Sequence, residues 1–180
     1  GDVQIMAGYA RHGAGGNVEL ASGASTGSSS GNVNVFTADA GKEGVSGTIT
    51  INSGTSSAGN SGSVDILTGA AESGRAGEVS VTVGSGNSGA GGNVVVTAGE
   101  STDRASGGSI LMTSGYSTTT SSGNIQFATA NAGKAGVSGG VYIQTGVATE
   151  GNSGKLSVTT GTALTGAGGN MELLVGKGNV

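Results

Sequence analysis

Apolar and polar residues alternate along this chain in short runs, and the runs recur about every fifteen residues, twelve times in 180. Each unit reads Gly, a polar residue, Val or Ile, any residue, an apolar residue, any residue, a small residue, Gly, then a loop of small residues. Residues 16–23 (Gly-Asn-Val-Glu-Leu-Ala-Ser-Gly) and 62–69 (Gly-Ser-Val-Asp-Ile-Leu-Thr-Gly) are two copies. Val33, Val35 and Thr37 fall on one face of a unit, and Asn32, Asn34 and Phe36 on the other. The same frame holds Val64, Ile66 and Thr68; Val79, Val81 and Val83; Ile110, Met112 and Ser114; and Val141, Ile143 and Thr145. A period of two, rich in β-branched residues, predicts half-buried strands. The small third inward position predicts an interior that narrows towards a turn, and the loop glycines predict positive φ at tight corners. No segment carries a 3.6-residue period, so no helix is expected.

A second level of repetition lies above the first. Residues 31–88 align with 123–180 at an offset of 92, with 26 identities in 58 positions and no gap. Six units therefore form a super-repeat. Loop charges separate the units into two kinds. Loops after odd units hold Arg11, Asp39, Lys42, Glu43, Glu72, Arg75, Glu100, Asp103, Arg104 and Lys134, with the only histidine, His12; loops after even units hold Glu150 and Lys177. A coil closed by one unit would put all loops on one edge, and a triangular coil of three units would mix the two kinds. An antiparallel meander would use hairpin loops of roughly 2–5 residues and leave its apolar face open. The pattern thus predicts an all-β, two-sided β-solenoid (β-helix): about 30 residues per coil from two 15-residue units, about six coils, each rising about 4.8 Å. Residues 1–180 are expected to be one such repeat domain. Both ends run into the repeat uncapped, which predicts a segment of a longer array or end-to-end stacking into a filament.

Composition fits a thin interior and no large globular core: 40 Gly, no Pro, Cys or Trp, and 3% aromatic residues. Glycine enrichment also marks low-complexity, disordered chains; strict alternation argues against that reading. A net charge of −4 from 7 basic and 11 acidic residues is the wrong sign for a nucleic-acid footprint. No run reaches the roughly 18 apolar residues of a membrane span. No Asn-x-Ser/Thr sequon occurs, although residues 28–30 and 118–122 are Ser/Thr runs that could carry O-linked sugars.

Candidate chemistry is sparse, and no catalytic residue, cofactor or metal site is expected. His12 has no Cys or triad partner. On the expected coils Glu19 and Glu78 face outward roughly 10–12 Å apart, with Glu172 further on, whereas paired catalytic carboxylates sit ~5–9.5 Å apart. The calcium pattern Gly-Gly-x-Gly-x-Asp is absent. Gly-Ala-Gly-Gly occurs at residues 13–16, 89–92 and 166–169, without the Lys-Ser/Thr of a phosphate loop, and reads as a tight corner. An ice-binding Thr-x-Thr row starts at Thr48 and Thr50 but breaks at Glu78 and Ser80; a weaker Thr82–Thr113 file stops at Gln144. Met6, Phe36 and Leu67 take equivalent outward positions on successive coils, with Val95 beside them, and such a row of exposed apolar residues predicts a lateral contact.

The phrases Gly-Val-Ser-Gly, Gly-Asn-Ser-Gly and Val-Gly-Ser-Gly-Asn-Ser-Gly-Ala-Gly-Gly-Asn-Val (residues 83–94) resemble the Gly/Ser/Val-rich tandem-repeat (predicted β-solenoid) proteins of diatoms and related algae. The resemblance covers the whole chain and implies an extracellular or cell-surface setting: a matrix, a fibre or a cell covering. The expected function is that of a structural repeat protein that forms or decorates such a covering by self-association, its partner being itself. An adhesive surface for ice or carbohydrate is the alternative.

Overall fold

The computed structural model describes residues 1–178. Among these the backbone forms neither helix nor strand. It consists of straight runs of ten to thirteen residues separated by short bends, and it falls into two compact units, Gly1–Gly92 and Asn93–Val180.

In Gly1–Gly92 the bends lie at residues 11–13, 26–28, 42–43, 57–59, 72–74 and 87–90. Each falls in the loop of one repeat. The opening glycine of the next repeat then returns beside the end of the last. The Gly16 N–H donates to the Gly8 carbonyl at 3.0 Å and Gly31 to Gly23 at 2.9 Å. A β-carbon at Gly16 would stand 3.3 Å from Ala7 Cβ, one at Gly47 3.1 Å from Thr37 Cγ2, and one at Gly92 2.8 Å from Val83 Cγ1. The glycine that opens a repeat thus sits against the third inward residue of the repeat before it, small in each of these cases but Val83. Thr37 and Ser53, at that position, are half-buried.

In Asn93–Val180 the bends lie at 103–105, 118–120, 134–136, 149–151 and 164–166. Gly108 donates to the Gly99 carbonyl and Gly123 to Gly115, both at 2.9 Å. Ala98 and Ser114 are the half-buried residues at the joint.

The β-solenoid expected from the pattern is not present, and the two-sided core goes with it. Strand, coil and meander all need a ladder of backbone hydrogen bonds between runs. Only five backbone–backbone hydrogen bonds form among the described residues, the four above and Gly44 to Gly41, where a folded chain makes about one hydrogen bond per residue. None of the described residues is buried. The chain exposes 18516 Å²; a compact protein of 16.8 kDa would expose about 7,600 Å² and an extended one about 24,000 Å².

The physical reason lies in the content of each unit. About two large inward-facing apolar side chains recur per fifteen residues, while several glycines per unit add to the backbone entropy that ordering must overcome. Alternation marks which side chains share a face, but it supplies no neighbour for that face.

The amides of Gly16, Gly31, Gly108 and Gly123 will therefore exchange with solvent more slowly than those of the straight runs. Calorimetry of the dilute chain will show no cooperative endotherm; a sharp endotherm with uniform protection would contradict this architecture.

Candidate functional site

No concave site gathers side chains here: no pocket forms, and among the described residues no group of three or more His, Cys, Asp or Glu could hold a metal ion. Nor is any helix long and apolar enough to cross a membrane. What the chain offers is a periodic surface.

The two faces of a run remain distinguishable in exposure. Val33, Ile49 and Val64, at the first inward position, are about half exposed (50%, 49% and 52%), while the outward Phe36 and Leu67 reach 79% and 84%. The expected self-covering of the inward face does not occur, since these residues remain open to solvent as well. Met6, Phe36, Leu67 and Val95 are all exposed. Among the described residues no strand holds successive runs in register. Glu19, Glu78 and Glu172 lie on separate runs, and Thr48, Thr50, Thr82 and Thr113 are exposed with no sheet to space them. His12 lies in the first bend.

The loops are more ordered than composition suggested. All three Gly-Ala-Gly-Gly copies start on a glycine with positive φ: Gly13 at 95°, Gly89 at 75° and Gly166 at 135°. A side chain rarely adopts that conformation, so the motif makes a corner.

A second device escaped the sequence reading. The Ser25 hydroxyl accepts from the N–H of Ser28 at 3.0 Å and of Gly27 at 3.4 Å. Ser117, 92 residues on, accepts from Thr120 at 3.0 Å and Thr119 at 3.4 Å, and its hydroxyl lies 2.9 Å from that of Thr120. Serine turns of this kind compete with regular structure by satisfying the backbone locally. The signal was available as a serine two or three residues ahead of a loop apex. Elsewhere the Ser63 hydroxyl donates to Asp65 Oδ2 at 3.0 Å and the Thr37 hydroxyl to the Gly47 carbonyl at 3.3 Å.

The chain matches no family model, no curated protein and no solved structure. The reading of its function rests on its own residues.

Replacing Ser117 with Ala will speed exchange at the Thr120 amide roughly two- to tenfold, the range that one net hydrogen bond spans. Exchange at Gly123 should stay as it was; a parallel change there would mean that turn and joint form one unit.

Proposed function

We propose that this chain is a structural repeat protein that associates with copies of itself in an extracellular fibre, matrix or cell covering. One observation carries the reading: every large apolar residue among the described residues is exposed, yet these residues recur at spacings of fifteen or sixteen residues. An irregular chain has no need of such spacing. A second copy presents the same series of spacings, so a contact made at one unit can be made again at others where the two series coincide.

Two further features support it. The straight runs carry backbone donors and acceptors with no partner in the chain, and such groups pair readily with another chain. The net charge is only −4 over 180 residues, so repulsion between copies is weak. The extracellular setting follows from the resemblance to Gly/Ser/Val-rich repeat proteins.

Sedimentation and negative-stain imaging over rising protein concentration test the proposal. Particles that grow with concentration, with a gain in β signal by circular dichroism, are the expected result. Monodisperse short particles across the whole range would overturn it. A thermal-hysteresis or glycan-array response from such particles would put surface binding in its place.

A further inference from the structure

We propose that neighbouring copies lie parallel and displaced by 92 residues, so that Gly1–Gly92 of one copy runs along Asn93–Val180 of the next. This inference rests on the self-association proposed above and specifies its geometry.

Register is the first argument. All five bends of Asn93–Val180 begin 92 residues after a bend of Gly1–Gly92: 103 after 11, 118 after 26, 134 after 42, 149 after 57 and 164 after 72. The joints recur likewise. Gly31 sits against Ser22 and Gly123 against Ser114; Gly47 sits against Thr37 and Gly139 against Thr129; Gly77 sits against Thr68 and Gly169 against Thr160. The Ser25 and Ser117 turns have the same separation. Displacing one copy by 92 residues therefore aligns runs with runs and bends with bends from residue 11 onward; only the first run, where Ala7 and Gly8 correspond to Ala98 and Gly99, keeps an offset of 91. Displacement by two units gives no such alignment. Gly16 to Gly47 is 31 residues, but Gly47 to Gly77 is 30, and a slip of one residue turns every side chain to the other face.

Charge is the second argument, and it decides against the in-register alternative. Gly1–Gly92 holds seven acidic and three basic residues, whereas Asn93–Val180 holds four of each. Copies in register would set the acidic half on itself. The stagger sets it on the neutral half and matches bends of opposite net charge. Arg11 comes opposite Asp103, in a bend made net negative by Glu100. Lys134 comes opposite the bend of Asp39, Lys42 and Glu43; the two lysines meet there, but the two carboxylates outweigh Lys42. A four-unit displacement keeps a 61-residue offset over several joints, yet it places the net-negative bends at residues 42 and 103 together.

A displaced contact of this kind joins unlike surfaces, so it does not close, and each added copy leaves another half free. The result is an open-ended fibre with half overlap. Its charge pairs are exposed and salt-sensitive.

Disulfide trapping provides the test, because the chain has no cysteine. Ser29 and Ser121 are exposed loop residues 92 apart, as are Ser61 and Ser153, and none of them makes a hydrogen bond among those found. Neighbouring parallel runs lie about 4.8 Å apart, within the span of a disulfide. A mixture of Ser29→Cys and Ser121→Cys chains should cross-link on oxidation under assembling conditions, and each variant alone should not; Ser61→Cys with Ser153→Cys should behave the same way. Arg11→Asp should raise the concentration needed for assembly severalfold, and adding Asp103→Arg to that chain should restore it. Cross-linking of Ser29→Cys alone, or assembly with neither mixed pair linked, overturns the stagger while leaving self-association standing. A wild-type chain that fails to assemble in sedimentation overturns both.

Discussion

Every peptide unit brings a donor and an acceptor that must meet a partner or water, and this requirement governs the whole chain. In a straight run the partners can come only from a neighbouring run. Among the described residues consecutive runs share at most one such bond, at four of the joints, so most of their backbone groups face solvent. Among the described residues the backbone hydrogen bonds are all local: they close a loop or tighten a turn. Exposure of the Val and Ile side chains follows from the same fact, because side chains are covered only when a second run lies over them.

What order there is resides at the joints. The third inward residue of a unit, small at most joints, is followed by a bend, and the next opening glycine returns against it with no side chain between them. The pair works through size: at Gly92 even a β-carbon would collide with Val83. Serine hydroxyls at residues 25 and 117 and left-handed glycines at 13, 89 and 166 hold the corners. None of these contacts spans more than about one unit, so they set a local zigzag without enclosing a core.

The local features were legible in the sequence. Loop positions, the corner role of Gly-Ala-Gly-Gly and the narrow third position all correspond to features of the structure, because each depends on residues within about fifteen positions of one another. The serine turns were also encoded locally, but they were hidden in Ser/Thr runs that looked uniform. The β-solenoid was not encoded in that way. Alternation of Val33 and Val35 against Asn34 and Phe36 requires only that two faces differ, and Val33 and Val35 (50% and 68% exposed) keep that difference from Phe36 (79%) without any strand. The expected row of Met6, Phe36, Leu67 and Val95 presupposed a ladder between runs; what the structure shows of these four residues is that each is exposed.

By itself the sequence determined where the chain bends, which residue types meet at each joint, and the 92-residue echo that spaces them. These follow from steric size, φ preference and short-range hydrogen bonding, all of which act within a unit. Only the tertiary structure decided whether one run finds another. That outcome balances the burial of about two inward-facing apolar side chains per unit against the entropy of ordering a glycine-rich backbone. In the single chain the balance leaves the runs apart, with their faces and backbone groups open to a second copy.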